Sequence, residues 1–344
     1  MKKTNSIFRT IIVVFIISVV GLGKANCQTS SNVDINALKS KLLNGLSGIL
    51  SGETSIDDIV STVNAVGLNS NNRSTDFESG VAIATIESDV LDEISGMVAS
   101  TKYANHFWVH NDSGDAPNVY LVNLEGELVA TVELDGTINR DWEAIAIYDG
   151  YIYVGEIGDN NAVYADKKVY RFAEPTIDIS KLDTTVKVKQ VETMVFNFAD
   201  QQRDSESFMI DPLTGNLIFV SKREALVVVY ETPFIETRGD DTVSVNQIAT
   251  IPVFMATAGD ISYDGRDILI KNYYSIFLWS RESDDEPLSE VFKRTAKTLP
   301  YTVEPQGESI AWSADNSAYY TVSEKLNDIK PVIYMYKRIM ENND

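Results

Sequence analysis

The chain has 344 residues, enough for one large domain or two small ones, and 44% of them are hydrophobic, enough to build a core. Lys and Arg number 29 against 50 Asp and Glu, a formal charge of −21. That balance argues against nucleic acid and anionic membrane surfaces as partners, since both need clustered basic side chains; it suits cations, basic partners or plain solubility.

The chain opens on a targeting segment. Lys2, Lys3 and Arg9 precede the apolar run 11–20, and small residues follow, the layout of an export signal. The run is short for a transmembrane span. Cleavage is expected after Ala25 or after Cys27; lipidation of Cys27 is a third route, for which Lys24-Ala-Asn26 is a poor lead-in. Residues 1–27 carry four positive charges and no negative ones, so their loss takes the chain to −25. The expected location is periplasmic, cell-surface or secreted, with no transmembrane span in the mature chain. Cys27 is the only cysteine, and His106 and His110 are the only histidines. The mature domain is therefore expected to lack disulfides, thiolate zinc sites and cysteine nucleophiles, and a His-rich zinc site is not expected either.

Residues 28–75 read as a helical appendage and linker. Ile35, Leu38, Leu42, Leu43 and Leu46 have helical spacing, and Ser55 three residues before Asp58 is a variant of a capping box. The polar run 68–75 reads as a linker.

From residue 76 to 344 the pattern changes to short strands and turns. An acidic residue opens an apolar strand, and a second strand rich in Tyr and Val returns. The acidic anchors are Glu93, Glu143, Glu206, Asp260 and Glu308, spaced 50, 63, 54 and 48 residues apart. A period near 50 with several strands per unit predicts an all-β fold, a β-propeller. Four units offer four strands each, the fourth ending in a strand at 288–292. The last unit offers three strands, ending at 332–336, and the orphan strand 80–86 is expected to complete it and close the ring. Five four-stranded blades are the expected count, with six as the alternative.

In a blade the inner strand is followed by an antiparallel second strand, so the start of one and the end of the other share a face. That rule brings together, as candidate metal ligands, Glu93, Glu143, Glu206, Asp260 and Glu308. The same rim would hold His110, Asn111, Asp112, Asp141, Glu156, Asp159, Asn160, Asp204, Lys222, Arg223, Tyr273 and Glu324 as candidate ligand-binding residues. Converging carboxylates need protons, basic groups or a metal as compensation. Lys222 and Arg223 are one source. A hard cation is the other, and an oxygen-rich, Cys-free site favours Ca²⁺, or Mg²⁺, over zinc. His110 beside Asp112 reads as a hydrogen-bonding residue before a general base, Ser113 has no credible triad partner, and Trp142 next to an anchor is core packing before a sugar-stacking surface.

Asp141-Trp-Glu-Ala-Ile-Ala with Tyr153-Val-Gly-Glu156, and Glu308-Ser-Ile-Ala-Trp with Tyr320-Thr-Val-Ser-Glu324, resemble the SdiA-regulated family of bacterial exported propellers. The segment Trp108-Val-His-Asn-Asp-Ser-Gly114 is similar to a motif of uncharacterised secreted propeller proteins. The resemblance covers residues 76–338 and implies a five-bladed propeller with a calcium site. It implies no reaction. The family tends to have Gly after the blade Glu, where this chain has Ala144 and Ser309. The expected function is a binding or scaffolding module for an envelope protein, glycan or small molecule. The alternative is a metal-assisted hydrolase of a phosphoester, lactone or glycoside.

Overall fold

The computed structural model describes residues 72–224 and 226–339. The expected export signal and almost all of the expected appendage lie outside the described residues. Most of what is described belongs to one compact unit that begins at Arg73, slightly before the expected boundary at 76.

The described residues hold 21 strands and one short helix. Strand β1 (Val81–Thr85) precedes the repeats. The first repeat contains β2 (Ile94–Ala99), β3 (His106–Asn111), β4 (Asn118–Asn123) and β5 (Leu128–Leu134). The second contains β6 (Trp142–Tyr148), β7 (Tyr151–Glu156), β8 (Lys167–Ala173), an excursion through β9 (Thr184–Val188), and β10 (Glu192–Phe198). The third contains β11 (Ser205–Ile210), β12 (Asn216–Ser221), β13 (Val227–Pro233) and β14 (Val243–Ile251). The fourth contains β15 (Ala256–Ile261), β16 (Asp267–Asn272), β17 (Ile276–Ser280), helix α1 (Leu288–Val291) and β18 (Lys297–Leu299), and the last contains β19 (Gly307–Trp312), β20 (Ala318–Ser323) and β21 (Val332–Lys337).

Within each repeat the successive strands pair antiparallel, and the first strands of the repeats pack side by side in a closed circuit, β2 against β6, β6 against β11, β11 against β15, β15 against β19, and β19 back against β2. This is a β-propeller, with those first strands innermost. Inner strands are covered on both faces by neighbouring repeats, so β2, β11 and β19 are buried at every residue. That is why they read as continuous runs of small and apolar residues rather than as alternations. Among the described residues, apolar clusters lie between neighbouring repeats, for example Trp108, Trp142, Ile145 and Phe172 in one and Phe208, Phe219, Phe196 and Tyr230 in the next.

The orphan strand takes the expected place. β1 pairs antiparallel with β21, Val81 opposite Met335 and Thr85 opposite Val332. Three expectations need correction. The fourth repeat's outer strand is β18, not 288–292, which is helical; Leu288 and Val291 are buried there at a spacing that suits a helical turn as well as a strand. β9 was not expected; it adds in parallel to the edge of β5 as a fifth strand of that sheet. Parallel pairing of β10 with β14 also joins the second and third repeats into one eight-stranded sheet.

The inner strands share a feature that sequence spacing did not show. Each has a register shift against its second strand near its start, between Ile94 and Gly96, Trp142 and Ala144, Ser205 and Ser207, Ala256 and Ala258, and Gly307 and Ser309. The residues left without a ladder partner are Ser95, Glu143, Glu206, Thr257 and Glu308. A bulge re-aims the side chain of its extra residue, here at the same level in every repeat.

Candidate functional site

The bulged residues and the residues that follow the second strands form two layers at one mouth of the channel. The first layer is Ser95, Glu143, Glu206, Thr257 and Glu308; the second is Asp112, Ile157, Lys222, Tyr273 and Glu324. Backbone bonds tie the second layer to the residues two before the first. The Asp112, Lys222 and Glu324 amides donate to the carbonyls of Glu93, Asp204 and Gln306 at 2.8, 3.0 and 3.0 Å.

One half of the mouth is partly neutralised from within. The Lys222 ammonium is in direct contact with a Glu206 oxygen, lies 4.0 Å from Glu308, and donates to the Tyr273 hydroxyl at 3.2 Å. Tyr273 in turn donates to Glu308. Burial alone would lower the Lys222 pKa, but Glu206, Glu308 and Glu143 together outweigh it and hold the ammonium charged. The other Glu206 oxygen, Oε2, is buried with no hydrogen-bond partner.

In the other half no ammonium of the described residues touches the acids, and Lys222 acts on Glu143, and Lys167 and Arg140 on Asp141, only from a distance. Asp112, Asp141 and Glu143 each present a carboxylate oxygen within 4.8 Å of the others. Among the described residues no Lys, Arg or His side chain forms an ion pair with any of the three. Glu143 accepts one bond, from Ser95 Oγ at 3.2 Å. Gly158 closes the wall behind it: a Cβ there would lie 2.3 Å from Glu143 Oε1 and 2.5 Å from Asp141 Oδ2. Burial, with Glu206 and Asp112 nearby, raises Glu143 well above the usual carboxylate range. Burial also raises Asp141, and with it Asp112, to about 6 for the latter, with Asp141, Glu308 and Glu93 adding to the effect on Asp112. Glu324 at the margin is pushed up to about 10 by burial and by Glu308, and receives a bond from Gln306.

The remaining sequence candidates divide. Asp204 is tied into a rim network: it accepts from the Asp159 amide at 2.9 Å and from Arg223 Nε at 2.6 Å, while Arg223 also reaches Asn160. Asp159 accepts from the amides of Val163 and Tyr164 at 2.8 and 2.9 Å and so shapes its own loop. Glu156 finds its partners in its own repeat, 3.5 Å from Arg140 and from Lys168 and bonded to Tyr170. Asn111 donates to the Val90 carbonyl at 2.6 Å and to Asp115 at 2.9 Å, again a loop role. His110 is fully buried against Trp142, with Nδ1 2.9 Å from the Asn111 carbonyl, and burial lowers its pKa to about 4.

Two proposed ring ligands are not where the repeat placed them. Glu93 is exposed, two residues before the bulge, and the ring position of its repeat belongs to Ser95. Asp260 sits near the far end of β15, where Oδ2 accepts from the Trp312 amide at 2.8 Å and Oδ1 from the Ile261 amide at 2.9 Å. Its ring equivalent is Thr257, whose hydroxyl donates to the Gly307 carbonyl at 3.2 Å. Acidic residues alone do not align the repeats, because two of them carry a hydroxyl at the bulge; the signal that marks the hydroxyls is the alignment of whole inner strands.

The raised carboxylates predict a pH dependence. Asp112, at about 6, and Asp260, raised by burial to about 7, bind protons more tightly in the folded than in the unfolded chain. Their contribution is full below the ordinary carboxylate range and is lost as the pH rises through 6 to 7. In chelator, the melting temperature should fall by roughly 5 °C or more between pH 5 and pH 8. A flat or rising profile would show that these groups are ionised at little cost.

The chain matches no family model and no curated protein. Solved structures similar to it include the PQQ-bound aldose sugar dehydrogenase of Streptomyces coelicolor, at 9% identity and a TM-score of 0.42, over 75% of this chain and 98% of that one. Another is found in a nidogen/laminin complex, at 10% identity and a TM-score of 0.40, over 68% of this chain and 73% of that one. With likeness this distant, the propeller architecture rests on the strand pairing of the chain itself.

Proposed function

We propose that this protein is an exported five-bladed propeller that serves as a binding or scaffolding module at the cell envelope, with Ca²⁺ held at one channel mouth by Asp112, Asp141 and Glu143. The observation that carries the reading is the convergence of these three carboxylates, none of which forms an ion pair among the described residues. Three buried or half-buried acids facing one another need compensation. Their donors are all oxygens, the ligand type of a hard cation, and Ca²⁺ tolerates irregular oxygen sets better than Mg²⁺ does. The kinship with SdiA-regulated propellers is part of the same proposal. Among the described residues, no helix is long and apolar enough to cross a membrane.

A metal-assisted hydrolase is less well supported. The candidate general base, His110, is enclosed and bonded to a backbone carbonyl, so it cannot meet a substrate without a rearrangement of the inner strands.

Calcium titration of the mature domain tests the reading. A ligand that binds only the folded state stabilises it by mass action, so Ca²⁺ at 100 times its Kd should raise the melting temperature by about 5–10 °C. Excess chelator should reverse the shift. Identical melting curves in Ca²⁺, Mg²⁺ and chelator would falsify the ion site and leave an acidic binding surface without a cation.

A further inference from the structure

The second layer of the mouth carries Asp112 in the first repeat and Lys222 in the third, at equivalent positions directly after the second strand. The two residues divide the mouth. Beside Asp112 the acids Asp141 and Glu143 form no ion pair among the described residues, whereas beside Lys222 the acids Glu206 and Glu308 share one ammonium. The Lys222 side chain is only 5% exposed, and so is that of Glu206. Glu206 Oε2 is buried with no hydrogen-bond partner. The Tyr273 hydroxyl adds a further oxygen, bonded to both Lys222 and Glu308. Without its ammonium, the Glu206–Glu308 half would be a buried, oxygen-only donor set like the first.

We propose that Lys222 is the specificity-determining residue of the mouth: its ammonium fills the Glu206–Glu308 half as a fixed internal cation and so prevents a second divalent ion from binding there. The proposal rests on the calcium reading only for the occupancy of the Asp112 half. The physical reason is charge balance. Two buried carboxylates that share one monovalent cation retain an excess negative charge, and a divalent ion would remove it, but an ammonium already in contact with Glu206 and 4.0 Å from Glu308 occupies the space between them and repels that ion.

The test is the metal content of the mature domain and of its Lys222→Met and Lys222→Arg variants after equilibration with Ca²⁺, measured by elemental analysis and by calorimetric titration. The wild type and Lys222→Arg should bind one ion, and Lys222→Met should bind two. If the wild type binds none and Lys222→Met binds one, the calcium reading of the Asp112 half fails while this inference stands. If Lys222→Met binds as many ions as the wild type, or if Lys222→Arg binds more, the inference is overturned. Removal of the ammonium leaves two acids buried together, so Lys222→Met should melt far lower in chelator than in Ca²⁺. A variant that fails to fold even in saturating Ca²⁺ also overturns the proposal, because a divalent ion would then be unable to replace the ammonium.

Discussion

A chain that lacks residues 1–71 should fold, and a chain that lacks residues 1–87 should not. The difference is the segment 72–87, which contains β1. It hydrogen-bonds along β21 from Val81–Met335 to Thr85–Val332, about 250 residues away in sequence. Two of its side chains are core residues, Phe77 at 4% exposure and Ile86 at 2%. Phe77 packs edge-on against Tyr319 with ring centroids 5.1 Å apart and lies under the Arg338 guanidinium at 4.7 Å. Truncating a buried Phe costs about 3–5 kcal/mol and a buried Ile about 2–5 kcal/mol. The deletion also leaves β21 with an unpaired edge, which invites association. Together these losses rival the whole stability of an ordinary domain, about 5–15 kcal/mol. Circular dichroism and urea unfolding would compare the two truncations. Matching midpoints would mean that the ring is held closed without β1.

Glu143→Gln and Asp141→Asn should each weaken calcium binding by about 10-fold or more, because a hard cation depends on anionic oxygens. Asp260→Asn should leave it unchanged. All three changes nearly preserve shape and remove one buried carboxylate charge, so they differ chiefly in position. Asp141 and Glu143 face Asp112 at the mouth. Asp260 is bonded to the backbone of Trp312 and Ile261 near the other end of the inner strands. In chelator the order reverses. Glu143→Gln should be at least as stable as the wild type, since burial and neighbouring acids already raise the Glu143 pKa. Asp260→Asn should lose about 1 kcal/mol, because an amide nitrogen cannot accept a bond from a backbone N–H. Calorimetric titration of the three variants decides the matter. Equal losses of affinity at Glu143 and Asp260 would show that net charge, not a located site, attracts the ion.

Sequence by itself determined the architecture. Inner strands buried on both faces must be apolar or small throughout, and four strands with their turns take about 50 residues, so the periodicity of β2, β6, β11, β15 and β19 is visible without coordinates. The place of β1 was also legible, because a missing strand beside β21 and an unplaced apolar strand near the other end of the described chain have one economical solution. Placement of Glu143, Glu206, Glu308, Asp112 and Lys222 at one mouth followed from antiparallel order alone.

Tertiary structure decided what register and packing control. A bulge shifts facing by one residue, and no charge pattern marks it, so Ser95 and Thr257 rather than Glu93 and Asp260 complete the ring. Residues 288–292 carry buried side chains that serve a helix as well as a strand, and only the pairing of β17 with Lys297–Leu299 settles their state. The division of the mouth is likewise a matter of reach. Lys222 and Arg223 are adjacent cations in sequence, but successive residues leave a strand end in different directions. One enters the ring to meet Glu206 and the other turns along the rim to Asp204, and that divergence leaves Asp112, Asp141 and Glu143 without an ion pair among the described residues.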